Sequence, residues 1–172
     1  MIIELRPIGF VRTKYSDDQI RESWEGVEGY IEILEEYTHA LKGLEEFSHI
    51  IVIAYLHKVT DHQRRTLVVK PRRAIKLGFS LEELPEIGVF ASDSPHRPNP
   101  IALTILELVK IDRNILHVKN LDLFDGTPVL DIKPYTPSRK INEFRVPLWV
   151  RLIEERIKEI RYKQSNQISR ST

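Results

Sequence analysis

The residues best placed by type and spacing to do chemistry fall in two short polar segments, one around Arg97 and one around Asp125. Three prolines within 95–100 fix φ at about −65° and disfavour helix in the residues before them, so Arg97 lies in a stiff segment. Its guanidinium presents a planar fork of donors that suits a carboxylate or a phosphate. Asp122 and Asp125 come just before a glycine, and their carboxylates can accept hydrogen bonds from ribose hydroxyls or a base edge. The alternative for each segment is structural: a rigid surface loop with an ion pair, and a turn between strands.

Several runs of sequence resemble those of the tRNA methyltransferase O (TsaA-like) family. They are Arg97-Pro98-Asn99-Pro100-Ile101, Asp125-Gly126-Thr127-Pro128-Val129, Asp131-Ile132-Lys133-Pro134-Tyr135, Pro7-Ile8-Gly9 and Leu44-Glu45-Glu46-Phe47-Ser48-His49. The resemblance implies a single-sheet β-barrel that binds S-adenosylmethionine and acts as a homodimer. It also implies the reaction, which is methylation of N6 of the threonylcarbamoyl-modified adenosine 37 in tRNA.

Carried over position by position, the resemblance implies a set of residues around the cofactor. These are His57, Asp93, Arg97, Leu103, Asp122, Asp125, Gly126 and Thr127. Arg97 would pair with the cofactor's carboxylate, and Asp122 or Asp125 would accept from its ribose. No catalytic residue is assigned, because methyl transfer needs no covalent enzyme intermediate and depends chiefly on positioning.

Two departures from the family pattern keep a second hypothesis open. Asp93 stands in Ala91–Ser94 where family members commonly have Ala-Thr-Arg-Ser, so an acid replaces an arginine. An acid beside the cofactor's carboxylate would repel it, most strongly in a desolvated pocket. The loop at Gln19–Ser23 replaces a Pro-Arg-Gln cluster that contributes to the family's cofactor pocket. The alternative function is therefore a non-catalytic RNA- or small-ligand-binding barrel that retains the scaffold.

Aromatic side chains near these segments have two possible roles. Phe90, Phe124 or Tyr135 could lie near the cationic sulfur or stack on a base. Core packing is favoured for Phe90 and Phe124, because apolar neighbours surround both in the sequence.

Basic residues are concentrated in two stretches, although the net charge of the chain is only +1. Residues 58–79 hold seven Lys or Arg against one acid, and residues 139–172 hold nine against four. Separated charge of this kind can hold a polyanion, whereas a single basic run is often only a solvated face. The residues expected to contact tRNA are Arg64, Arg65, Lys70, Arg72, Arg73 and Tyr135.

Composition excludes several other classes of protein. The chain has 172 residues, 41% of them hydrophobic, which suits one core. It has no cysteine, which removes disulfides, thiolate metal sites and cysteine nucleophiles. The six histidines show no spacing typical of a metal site, so no metal is expected. No apolar run is long enough for a membrane span and no signal peptide is evident, so a cytoplasmic protein is expected.

Short apolar segments of strand type, among them 2–13, 47–56, 88–92 and 101–112, predict a mainly β protein, with a loop at 14–26 and a short helical turn at Glu35–Leu41. About seven strands with short links are typical of a barrel or sandwich, which the resemblance narrows to a TsaA-like barrel with short helices. Apolar residues at three- and four-residue steps after Arg145 predict a C-terminal amphipathic helix that packs on the barrel or a second subunit. The predicted organisation is a barrel domain at 1–138, a basic helical extension at 139–163 and a disordered tail at 164–172.

Overall fold

The computed structural model describes residues 2–168, except for the side chains of 161 and 163–168. The chain divides into two compact units. The first unit comprises residues 1–65 and 95–140, and the second comprises residues 66–94 and 141–172. The predicted tail lies partly outside the described residues, at 169–172.

The first unit is a closed barrel of six strands, in the order β1-β2-β7-β6-β3-β8, with every neighbouring pair antiparallel. The strands are β1 Gly9–Arg12, β2 Val27–Ile33, β3 His49–Tyr55, β6 Ile101–Asp112, β7 Ile115–Leu121 and β8 Pro128–Pro134. The predicted mainly β barrel is thereby confirmed. The first strand is shorter than the apolar segment 2–13 predicted, since residues 2–8 are outside it.

The barrel interior is filled by alternate residues of every strand, as the two-residue period of a strand requires. Ile50, Val52 and Ala54 of β3 are fully buried, and Leu106 of β6 faces the same core. Several outward-facing residues of β6 are apolar as well, and Leu103 is 68% exposed there, while Glu107 on the same side pairs with Lys119. Burial in the barrel therefore does not account for the apolar residues on the outer side of β6.

A short helix, α1 at Asp17–Glu22, occupies the segment 14–26 that the sequence predicts as a loop. Its start is fixed by a capping box, in which Ser16 Oγ accepts from the N–H of Gln19 and Gln19 Oε1 accepts from the N–H of Ser16. An equivalent capping box at Thr60 begins α2, at Asp61–Arg64. The predicted helical turn at Glu35–Leu41 is confirmed as a 3₁₀ helix.

The second unit contains a two-stranded sheet and the C-terminal helix. Its strands are β4 Val68–Val69 and β5 Ile87–Gly88, and its long helix is α3 Leu148–Ile168. The strand predicted at Gly88–Ser92 is wrong beyond Gly88, because Val89–Ala91 turns into a 3₁₀ helix. Helix α3 begins nine residues after position 139 and includes 164–168, which the sequence assigns to a tail.

Helix α3 packs within its own unit against the 3₁₀ helix Arg72–Leu77. The Arg156 Nε–H donates to the carbonyl of Leu77 over 3.1 Å, and Arg156 Nη1 lies 3.0 Å from Glu159 Oε2. The amphipathic pattern predicted the helix, and the contact identifies the segment that it packs on.

Candidate functional site

The connections at one end of the barrel bring most of the predicted cofactor residues together. Strand β3 ends there, β6 begins there, and the loop 122–127 joins β7 to β8 at the same end. The Leu56 N–H donates to the carbonyl of Pro100 over 2.8 Å, which fixes the proline segment beside the end of β3. His57 follows directly, and Leu103 is two residues into β6. His57, the proline segment 95–100, Leu103 and the loop 122–127 are together called the barrel-end site below.

The acidic loop is held by hydrogen bonds to the chain around the end of β1. The Thr13 N–H donates to Asp125 Oδ1 over 3.0 Å, and the Gly126 N–H donates to Val11 O over 2.9 Å. Gly126 has φ +74°, a conformation that glycine adopts without steric cost. Thr127 is buried at 1% exposure. The Asp122 carboxylate is exposed and makes no hydrogen bond or ion pair with any other described residue, so it can accept from a ligand.

A charged cluster that the sequence analysis missed lies at the same end. Lys58 Nζ pairs with both oxygens of Asp17, at 2.8 and 2.7 Å. The ring of Phe124 has the Arg21 guanidinium 4.9 Å and the Lys58 ammonium 5.1 Å from its centroid. Phe124 is half-buried, so it belongs to the surface of the site and not to the core. The Ser16–Gln19 capping box was the available signal for α1, which carries two of these residues.

The pKa of His57 is lowered from its ordinary value of 6.5. Partial burial of the ring is the main cause and the adjacent Lys58 ammonium is the second, while the carboxylates of Asp17 and Asp125 oppose them. The neutral imidazole is therefore favoured at pH 7. A neutral ring adds no positive charge beside a cationic ligand.

Tyr135 lies at the opposite end of the barrel from the other candidates of the first unit. It follows β8, and its N–H donates to His49 O, at the start of β3, over 3.1 Å. The rings of Tyr135 and His49 meet edge to face with centroids 6.5 Å apart. The structure thus separates Tyr135 from the barrel-end site by the length of β3.

The predicted tRNA-binding cations fall in both units. Arg64, in the first unit, donates through Nε to the carbonyl of Pro98 over 3.4 Å, so it also supports the proline segment, while Arg65 is exposed. In the second unit Lys70 donates to Leu81 O over 2.9 Å, and Arg72 and Arg73 are exposed.

Two other candidates also belong to the second unit. Asp93 is exposed. Phe90 is 85% exposed, so the prediction of core packing is wrong for it. The reason is the 3₁₀ turn, which buries Val89 and turns its neighbour outward.

Between residues 2 and 168, no group of three or more His, Asp or Glu side chains is arranged to hold a metal ion. Within the same range no helix is both long and apolar enough to cross a membrane.

Comparison with known proteins agrees with the geometry. The model of the tRNA-methyltransferase O N-terminal domain matches residues 17–140, which include the barrel-end site. This chain belongs to that family. In the tRNA-methyltransferase O family, a probable S-adenosyl-L-methionine-binding protein of Pyrococcus abyssi is 37% identical over 147 residues, covering 83% of this chain and 73% of the relative.

Relatives with named activities match over smaller shares of their length. A mouse tRNA (adenine(37)-N6)-methyltransferase is 42% identical over 97 residues, which is 56% of this chain and 20% of that protein. The crystal structure of TrmO superposes with a TM-score of 0.66 at 29% identity, covering 86% of this chain and 64% of its own. The chain thus spans a fifth of the mouse protein and less than two thirds of the solved one.

Proposed function

We propose that this protein is an S-adenosylmethionine-dependent methyltransferase that acts on N6 of threonylcarbamoyl-modified adenosine 37 in tRNA. The observation that carries the proposal is the convergence of His57, the Arg97 segment, Leu103 and the loop 122–127 at one end of a barrel of this family. Relatives named for S-adenosylmethionine binding and for adenine-37 methylation support it.

Different residues of the barrel-end site bind different groups of the cofactor. Arg97 pairs with the carboxylate, and the prolines on either side of it restrict its backbone before binding, which lowers the entropy cost. Asp122 accepts from the ribose, since its exposed carboxylate has no partner among the described residues, whereas Asp125 Oδ1 already accepts the Thr13 N–H. The neutral state of His57 avoids repulsion of the sulfonium. Catalysis then consists of holding the methyl group in line with the attacking nitrogen.

The substrate is held through phosphates by the predicted cations Arg64, Arg65, Lys70, Arg72 and Arg73, and Tyr135 remains a predicted contact. We place the enzyme in the cytoplasm as a homodimer. The exposed apolar face of β6 supports a second copy as partner, since single-chain proteins seldom leave such faces in water.

Calorimetric titration of the nucleotide-free protein with S-adenosylmethionine tests the cofactor site. Saturable one-site binding is expected for the wild type, and Arg97→Ala should weaken it by about tenfold or more, as loss of a charge-assisted bidentate pair does. Arg139→Ala is the matched control, because Arg139 is exposed beyond β8 at the opposite end of the barrel. Equal binding by both variants would refute the assignment of Arg97, and no heat with the wild type would refute the methyltransferase proposal.

One observation favours the second candidate, a binding barrel without catalysis. Asp93 replaces a family arginine, and its exposed carboxylate would oppose a carboxylate ligand. This candidate predicts salt-dependent tRNA binding without transfer of a labelled methyl group. Incorporation of label into tRNA containing threonylcarbamoyl-adenosine, but not into tRNA with guanosine at position 37, would decide for the methyltransferase.

A further inference from the structure

Phe90 is the most exposed aromatic side chain noted among the described residues, at 85%. It lies in the 3₁₀ turn Val89–Ala91 of the second unit, directly after β5. The barrel-end site gives it no role. Covering such a ring with a partner removes apolar surface from water and is therefore favourable.

The turn that carries Phe90 is fixed on both sides. Val89 is buried at 1% exposure, and its N–H donates to the carbonyl of Leu67, the residue before β4, over 3.0 Å. The N–H and the hydroxyl of Ser92 both donate to Val89 O, at 3.2 and 3.0 Å. The ring is therefore presented from a rigid base, which lowers the entropy cost of binding a partner.

Cations follow on the strand beside this turn. The hydrogen bond from Val89 places Leu67, itself 63% exposed, next to the turn of Phe90. Lys70 comes three residues later, about 10 Å along an extended chain. Arg72 follows, and its exposed guanidinium has no hydrogen bond or ion pair with any side chain that the structure describes. The segment 66–94 thus places cations at about the reach of three stacked nucleotides from one protruding ring, together with the exposed carboxylates of Glu82, Glu83 and Glu86.

We propose that the ring of Phe90 stacks on an unpaired base of the RNA substrate. Phosphates of the same RNA strand then lie along β4 and contact Lys70 and Arg72. The inference rests on the proposed function in taking RNA as the substrate. Proteins read unpaired RNA by stacking its bases on aromatic rings and hold its backbone with Lys and Arg.

A protein partner fits this feature less well. Stable protein interfaces bury about 800 Å² on each side around a core depleted in charge. Here a single ring is flanked by the carboxylate of Asp93 and by a segment, 70–86, that carries charges of both signs. The broad apolar face of β6 has the character of a protein interface, and the turn of Phe90 does not.

The test measures binding of a synthetic tRNA anticodon stem-loop to the full chain by fluorescence anisotropy at fixed salt. Phe90→Ala should weaken binding by about tenfold or more, and Phe90→Trp should restore it, with indole emission quenched by the RNA. Phe144→Ala is the matched control, because Phe144 is 75% exposed in the same unit. S-adenosylmethionine affinity should be the same in all four proteins.

The outcomes separate this inference from the function on which it rests. If the wild type binds RNA and Phe90→Ala binds it with an affinity within twofold of the wild type, Phe90 is not a stacking anchor. The proposed function would then still stand. Dissociation of an oligomer by Phe90→Ala, seen by sedimentation, with RNA affinity unchanged would assign the ring to a second copy and overturn the inference. Absence of RNA binding by the wild type would overturn both.

Discussion

His57 is the residue at which the electrostatics of the barrel-end site can be measured directly. Burial and Lys58 lower its pKa from 6.5, and Asp17 and Asp125 oppose them. We expect its NMR titration midpoint to lie below 6.5, to rise in Lys58→Met and to fall further in Asp125→Asn. Shifts of the same sign in both variants would contradict this arrangement of charges.

The lowered pKa of His57 also determines the direction in which this residue makes folding stability depend on pH. Below about pH 6.5 the unfolded chain binds more protons at this residue than the folded one, so folding is disfavoured as the pH falls through the folded pKa. The contribution is complete above the unfolded pKa. It is small because the ring is largely exposed.

Asp93 gives a second prediction for a single residue, based on the proposed cofactor. If its carboxylate faces that of S-adenosylmethionine, Asp93→Arg should tighten binding by about three- to tenfold, and Asp93→Asn by less, since it only removes repulsion. Calorimetry at low and high salt measures both variants, and the gain should shrink with salt. An unchanged affinity in Asp93→Arg would show that this residue does not face the cofactor's carboxylate.

Among the elements, α1 depends most on a local signal. Ser16→Ala removes the capping acceptor and should lower the local stability of α1 by about 1 kcal/mol, seen as faster amide exchange over Asp17–Glu22. Thr60→Ala, which removes the equivalent cap of α2, should accelerate exchange at Asp61–Arg64 and leave α1 unchanged. Faster exchange of both helices in either variant would mean that the caps are not local.

The strands were largely predictable and their exceptions have physical causes. The strands predicted at 47–56 and 101–112 lie within two residues of the observed bounds of β3 and β6. Helix α1 was missed because it has a single buried apolar residue, Ile20, and so no amphipathic period. The turn at Phe90 was missed because apolar composition does not distinguish a strand from a 3₁₀ helix of three residues.

For the whole molecule, the candidate site was only partly predictable. The family runs identified the residues, but their convergence depends on which barrel end each connection occupies. Tyr135 illustrates this, because it follows the same β8 that begins beside the site and yet lies a strand length away. Charge counts located the basic stretches, but they did not reveal that Lys58 pairs with Asp17 on α1.

The outward face of β6 gives a prediction about assembly. Leu103, Ile105 and Val109 are 68%, 46% and 50% exposed along this one strand. The proposed homodimer would bury them, gaining about 25 cal/mol for each Å² of apolar surface removed from water. Ile105→Lys places a charge in the middle of this face and should raise the dimer dissociation constant by about tenfold or more, measured by sedimentation velocity over a concentration series.

Ile75→Lys is the matched control for Ile105→Lys. Ile75 is 44% exposed, close to the value for Ile105, but it lies in the second unit. Its substitution changes the net charge by the same amount, so any general effect of charge on association appears in both variants. Dissociation in Ile105→Lys alone supports the β6 interface, because only that variant charges the apolar face. A wild type that stays monomeric throughout the series, or a dimer that Ile105→Lys leaves intact, contradicts it.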